Sequence, residues 1–282
     1  MLWQWCQTAI STHGLQGSRA KPDDIRFIKL LNRNKLVLRE IKHMNLNMKV
    51  AILGAMDEEI TLIRSSLTHA VEKKVGHLTV YHGNLCGADV ALVKCGIGKV
   101  AAAVSTTLLI NEFSPDYVIN TGSAGGFSQQ RVIGDIVIAN ALRHHDADLT
   151  FFGYEMGQCA GMPAEYCCAP ELIKSAETAM QHLPDVGYES GLICTGDSFV
   201  GSDEGAAVIR QNIPSVSAVE MEGVAIAQTC YLLNVPFLVI RSLSDIAGKT
   251  STVSFQTYLE TAAKHSAQLV MQTIATLVAD KQ

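Results

Sequence analysis

From residue 48 onward the chain alternates short apolar runs with longer stretches whose apolar residues recur at helical spacing. The run MKVAIL at 48–53 predicts a first strand, followed by a turn at Gly54 and Ala55 and a helix opening at Met56, Asp57, Glu58 and Glu59. Residues 78–85 and 88–95 read as the two strands of a hairpin turning near Gly87. A long alanine-rich helix follows to about residue 111, and Pro115 separates it from a buried strand at 117–120. Strands are also expected at 134–141 and 191–194, with an amphipathic helix at 170–182 and a short helix at 203–211. The stretch 217–245, SAVEMEGVAIAQTCYLLNVPFLVIRSLSD, reads as a strand end, a helix over 223–233, a break at Asn234, Val235 and Pro236, and a strand at 237–240. That last run is continuously apolar, as in a parallel strand covered on both faces. A final helix runs from 254 to the end. This alternation of strand and helix predicts one doubly wound α/β domain, with no internal repeat and no linker after Met48.

In open α/β sheets, ligands bind beyond the carboxyl ends of the strands. Three carboxylates stand at such places. Glu59 follows the first strand by about one helical turn, Glu222 sits where a strand gives way to a helix, and Asp245 closes the polar run Arg241, Ser242, Ser244, Asp245 after 237–240. Asp57 and Glu58 have a simpler explanation, since acidic residues suit the positive end of a helix dipole. The stretch Thr121-Gly122-Ser123-Ala124-Gly125-Gly126 directly follows a buried strand and is expected to be a ligand-facing loop. Gly96-Ile97-Gly98-Lys99 looks like a fragment of a phosphate loop but lacks its spacing and the hydroxyl residue after lysine, so it is read as a tight turn that lets backbone approach a ligand. Phe199, between Gly196 and Gly201, is placed either in the core or against a flat ring. The cluster His144, His145, Asp146, Asp148 raises the question of a metal. Neighbours on an extended chain alternate faces, so a hydrogen-bonded loop or subunit contact is the expectation and no metal or other cofactor is. The aromatic loop Phe151-Phe152-Gly153-Tyr154 is expected to pack across an interface or roof a pocket.

Composition narrows the class. The chain carries 22 Lys and Arg against 27 Asp and Glu, a mildly acidic balance that argues against nucleic-acid binding. No apolar run approaches the roughly eighteen residues of a membrane span. The eight cysteines are scattered without a CxxC pair, which suggests buried reduced thiols in a cytoplasmic enzyme rather than a zinc site or disulfide framework. The charge is unevenly spread: residues 1–47 hold eight basic and three acidic residues, the remainder fourteen and twenty-four. That first segment also holds both tryptophans, shows no strand pattern and lacks the apolar core of a secretory signal. It is expected to be an upstream extension or mis-assigned start, disordered or loosely helical around 25–44, with the domain proper at 48–282.

The motifs GAMDEE at 54–59, GIGKVAAA at 96–103, NTGSAGG at 120–126, HDAD at 145–148, FGYE at 152–155, TGDSF at 195–199, VEMEG at 219–223 and RSLSD at 241–245 together carry a resemblance. From Met48 to its end the chain resembles the bacterial 5′-methylthioadenosine/S-adenosylhomocysteine nucleosidases of the purine nucleoside phosphorylase superfamily. The resemblance implies a single three-layer domain in which a central mixed, twisted sheet is flanked by helices. It implies that Glu59 deprotonates the attacking water and Asp245 protonates adenine at N7. Glu222 holds the ribose hydroxyls, Met221 packs on the sugar, Phe199 stacks on adenine, and the backbone of Val200 reads the base edge. Ser123 and Arg241 lie near the water, with Gly125 in the same glycine-rich stretch, and Ser244 supports the acid. Ile97, Met56 and Phe255 line the 5′-thio pocket, which a partner subunit of a homodimer completes through Phe152 and its neighbours. Ala160 departs from the proline that well-known members have in that wall.

The chemistry makes sense independently. Breaking an N-glycosidic bond builds positive charge on the sugar and negative charge on the departing base, so a purine leaves readily only when protonated. An ordinary aspartic acid is ionised at neutral pH; Asp245 is therefore expected to have a pKa raised by burial, or to gain its proton as charge develops on the base. Each such proton transfer contributes roughly a hundred- to ten-thousand-fold. The acidic exit Asp57-Glu58-Glu59 would repel a phosphate dianion, which favours hydrolysis over phosphorolysis. The competing readings are a related nucleosidase or nucleoside phosphorylase, and a non-catalytic nucleoside-binding protein.

Overall fold

The computed structural model describes residues 47–128, 130–247 and 251–281, with the side chains of 251–254 left aside. The expectations for residues 1–46 lie outside the described residues. Strand β1 (Lys49–Gly54) is apolar and buried from Val50 onward. It leads through Ala55 and Met56 into α1 (Asp57–Ser66). Strands β2 (Thr68–Val75), β3 (Leu78–Leu85) and β4 (Ala88–Lys94) form an antiparallel meander, and α2 (Lys99–Phe113) follows. Next come β5 (Tyr117–Gly126), β6 (Ile136–His144), the short β7 (Tyr166–Cys167), α3 (Pro170–Ala179) and β8 (Tyr188–Thr195). The chain continues through α4 (Asp203–Asn212), β9 (Val216–Glu220), α5 (Gly223–Leu233), β10 (Phe237–Ile246) and α6 (Ser251–Asp280).

The strands form one mixed sheet in the order β10, β6, β8, β9, β5, β1, β4, β3, β2, with β7 on β6. Strand β10 also pairs with β5 in parallel, so β5, β10, β6, β8 and β9 close into a ring. Helices α1, α3 and α6 pack together on one side, and α2 packs with α5 on the other. This is the predicted three-layer arrangement of a mixed sheet between helices. Helix α5 ends as its sequence suggests: Asn234 takes the left-handed conformation that closes many helices.

Three elements differ from the sequence reading. The glycine-rich stretch 121–126 is not a loop but the second half of β5, fully buried between β10 and, at its end, β9. Its glycines make room for neighbouring side chains: a Cβ on Gly122 would stand 2.6 Å from Glu59 Oε1. Likewise the polar run 241–245 does not follow the last strand but belongs to it, since pairing with β5 continues to Ile246. Strand β2 escaped notice because seven of its eight residues are exposed. An edge strand open on both faces carries no apolar alternation to read, and its bulge near Thr68 leaves His69 at φ 54°.

Candidate active site

The ends of β1, β5, β9 and β10 surround a cavity of about 240 Å³. Its wall holds Met56, Glu59, Ile97, Ser123, Gly125, Phe199, Met221, Glu222, Arg241, Ser244, Asp245 and Phe255, together with Ala55, Ala124, Val219 and Glu220. Val200 borders a smaller adjoining hollow of about 30 Å³ that also touches Phe199, Met221 and Asp245. The three carboxylates proposed from sequence thus come together from α1, the start of α5 and β10, across more than half of the chain. A register shift between Leu243 and Asp245 lets the consecutive residues Ser244 and Asp245 both line the cavity, where strict alternation would turn one of them away.

Each polar group on the floor is held by several partners. Glu59 Oε2 accepts from the backbone N–H groups of Ala55 and Met56 at 2.7 and 3.2 Å, and Oε1 accepts from Ser123 N and Oγ at 3.0 and 3.2 Å. The acidic start of α1 therefore folds one carboxylate back over the end of β1. Glu222 Oε1 accepts from Gly98 N at 3.0 Å, so the Gly96–Gly98 turn brings backbone to a carboxylate. Both glycines have positive φ. Arg241, 1% exposed, donates from Nη2 to Glu220 Oε2, to Asn120 Oδ1 at 2.6 Å and to Glu222 Oε2 at 3.3 Å, and from Nη1 to Ser123 O at 3.2 Å. Ser244 Oγ donates to Asp245 Oδ1 at 2.9 Å.

Burial pushes the Glu222 carboxyl up to about 7; Arg241 draws it down, while Glu220 and Glu59 add to the rise. Burial works against the Arg241 charge, but the carboxylates of Glu220, Glu222 and Glu59 outweigh it and raise its pKa. The same surroundings raise the thiol of Cys95 at the β4 exit to about 12, chiefly through burial. The site is a net-acidic pocket whose single cation among the described lining residues is already paired.

Comparison with known proteins places the chain. The phosphorylase superfamily profile matches residues 49–275. A 5′-methylthioadenosine/S-adenosylhomocysteine nucleosidase of Lysinibacillus sphaericus is 50% identical over 230 residues, 82% of this chain and 100% of that protein. The chain belongs to this nucleosidase family. Two crystal structures agree. The Colwellia psychrerythraea nucleosidase in complex with adenine has 48% identity and a TM-score of 0.81, covering 82% of this chain and 96% of the other. The Neisseria meningitidis nucleosidase in complex with methylthio-immucillin-A has 44% identity and a TM-score of 0.79, covering 80% and 98%.

Within this family member, most residues singled out from sequence meet at one place, but not all. Phe152 does not reach the cavity of its own chain. It lies on the 3-10 turn Thr150–Phe152, 71% exposed, its ring edge-on to Phe151 at 5.1 Å. Asp57 and Glu58 do not face the cavity either: Asp57 pairs with Lys94 at 2.6 Å and Glu58 is exposed, as the helix-dipole explanation requires. The His/Asp cluster is a hydrogen-bonded loop. Asp146 accepts from Lys99 Nζ at 2.8 Å and from Asp197 N at 2.9 Å, and His144 Nε2 meets Gln228 Oε1 at 3.0 Å. Asp197 in turn accepts from Lys99 N at 2.8 Å, tying the Phe199 loop to the start of α2. Sequence reasoning gave no role to Glu220, Asn120 or Thr195. For Glu220 a signal existed: it is a carboxylate at the end of a strand that runs into the proposed site, two positions before Glu222.

Proposed function

We propose that the cavity binds 5′-methylthioadenosine and S-adenosylhomocysteine and hydrolyses their N-glycosidic bond. The products are adenine with 5-methylthioribose or S-ribosylhomocysteine. The observation that carries this reading is the convergence of Glu59, Glu222 and Asp245 on one cavity. Asp245 gives its proton to N7 as the bond between the sugar and the base breaks and its electron pair passes to adenine. Ser244, bonded to Asp245 Oδ1, orients that acid. Glu59 takes the proton of the water that adds to the sugar, and the four donors around it fix its direction. Glu222 receives the ribose hydroxyls, Met221 packs on the sugar, and Phe199 stacks on the base, with the Val200 backbone at its edge. Met56, Ile97 and Phe255 contact the 5′-substituent. Holding water, sugar and acid in line supplies the remainder of the acceleration.

Hydrolysis is favoured over phosphorolysis on electrostatic grounds. An incoming phosphate dianion would meet Glu59 and Glu222, while Arg241 is already engaged by Glu220 and Glu222. We also assign the catalytic unit to residues 48–282, with 1–47 an extension outside it; relatives matched along their whole length account for 82% of the chain. The active form is a homodimer in the cytoplasm. Phe151 and Phe152, 92% and 71% exposed, are the apolar surface that a second copy would cover to finish the 5′ pocket. The test is incubation of the purified chain with methylthioadenosine with and without phosphate. Adenine release at equal rates supports hydrolysis, phosphate-dependent formation of a sugar 1-phosphate overturns it, and binding without release assigns a non-catalytic role.

A further inference from the structure

Glu220 is buried beside the proposed sugar site, yet its oxygens are committed to the protein. Oε2 accepts from Glu222 N at 2.9 Å, from Gly223 N at 2.7 Å and from Arg241 Nη2. Oε1 accepts from Thr195 Oγ1, whose own oxygen accepts from Val224 N at 2.8 Å. With three donors on one oxygen and a hydroxyl on the other, Glu220 has little left for a ligand.

What it does for its neighbours is specific. Glu222 is the N-cap residue of α5, where a side chain commonly folds back to satisfy the first free N–H groups of the helix. Glu222 makes no such bond. Glu220 and Thr195 supply those acceptors instead, to Gly223 and Val224, and the Glu222 side chain turns into the cavity. Glu220 also takes the closer contact with Arg241, leaving Glu222 at 3.3 Å from the same nitrogen. The charged or ionisable groups around Glu222 are Glu59 from α1, Cys95 from the β4 exit, Glu220 from β9 and Arg241 from β10. Arg241 alone among them attracts it.

We propose that Glu220 is a positioning residue: by capping α5 and holding Arg241 it keeps the Glu222 carboxylate free for the hydroxyls of the sugar. The proposal rests on the nucleosidase reading above and adds a residue to it. Removing the Glu220 charge makes Arg241 the partner of Glu222, which draws that carboxylate away from the sugar and makes it easier to ionise.

The experiment compares kcat and KM for methylthioadenosine across pH, and Kd for free adenine, in wild type, Glu220→Gln and Glu220→Asp. Wild-type turnover is the control for the nucleosidase reading: its absence defeats that reading, whereas the comparisons below concern Glu220 alone. In Glu220→Gln, KM is expected to rise about tenfold or more, the acid limb of kcat/KM to move to lower pH, and Kd for adenine, which lacks the sugar, to stay as in wild type. Glu220→Asp is expected to return the acid limb to its wild-type position. An unmoved limb and unchanged KM in Glu220→Gln would overturn the proposal, as would equal losses for adenine and methylthioadenosine in a variant that unfolds at the wild-type temperature. Should Glu220→Gln fail to fold, Thr195→Val decides the question. A higher KM at unchanged adenine Kd supports the proposal, and an unchanged KM overturns it.

Discussion

On the floor of the cavity Glu59, Glu222, Arg241 and Asp245 are at most 3% exposed, Glu59 and Glu222 at helix starts and Arg241 and Asp245 within β10, and each has a protein partner at hydrogen-bond distance. At the rim the picture reverses. Ile97 is 58% exposed and Phe199 49%, and Phe199 is steadied by an edge-on contact with Phe255 at 5.9 Å between ring centres. The loop behind it is tied by Lys99, Asp146 and Asp197, which remain partly open to water. The floor is assembled from buried side chains, while at the rim the described residues leave Ile97 and Phe199 about half uncovered. In the proposed mechanism, bond breaking falls to the buried part and recognition of the base and the 5′-substituent to the exposed part.

The largest effects should come from the floor. Asp245→Asn and Glu59→Gln are each expected to lower kcat by on the order of 10²–10⁴. Tm should stay nearly unchanged in Asp245→Asn, whose amide oxygen still accepts from Ser244, and should fall in Glu59→Gln, whose amide nitrogen would face two donors it cannot accept from. Near-wild-type kcat in either variant would remove that residue from the mechanism. Next comes Glu222. Its carboxyl rises from an ordinary 4.5 to about 7 on folding, so between those values the folded protein holds a proton that the unfolded chain has released. The resulting stabilisation is fully present below the lower value and is lost as pH rises through the upper one. Melting of the ligand-free protein between about pH 5 and pH 8 should show this slope, and Glu222→Gln should lack it. A slope that persists in the variant points to another group.

Rim changes should be smaller and should read out differently. Phe152→Ala is expected to raise KM for methylthioadenosine about tenfold with little change in kcat, and to weaken self-association measured by sedimentation. An unaltered KM would mean that this ring takes no part in the 5′ pocket. Smallest is Lys99→Met, which cuts a partly exposed ion pair with Asp146 at 2.8 Å. Such pairs contribute little, so about a two- to threefold rise in KM is expected, without loss of stability. A loss in kcat as large as that of Asp245→Asn would erase the distinction between floor and rim.

The same division explains what could be read from the chain before its fold was known. Glu59, Glu222 and Asp245 were legible because each sits at the end of an apolar run or the start of a helix, where sequence pattern and site geometry coincide. Burial mattered too: β1 and the start of β10 announce themselves by unbroken apolar stretches, whereas β2, exposed along seven of its eight residues, does not. The second halves of β5 and β10 were misplaced because their glycine, serine and charged residues imitate loop composition. Partners across the sheet supply the burial that local sequence lacks. Asn120 and Thr195 were invisible for a related reason: their importance lies in which side chain faces them, Arg241 in one case and Glu220 in the other.

The ring formed by β5, β10, β6, β8 and β9 bears on how the molecule breathes. Ser123 and Asp245 belong to strands that are tied into that ring, so their backbone amides should exchange with solvent deuterium only on global unfolding. The segment around Phe199, anchored by a few half-wet contacts, is expected to exchange faster, by local opening. On that expectation substrate enters and adenine leaves through the Phe199 segment while the acids beneath keep their alignment.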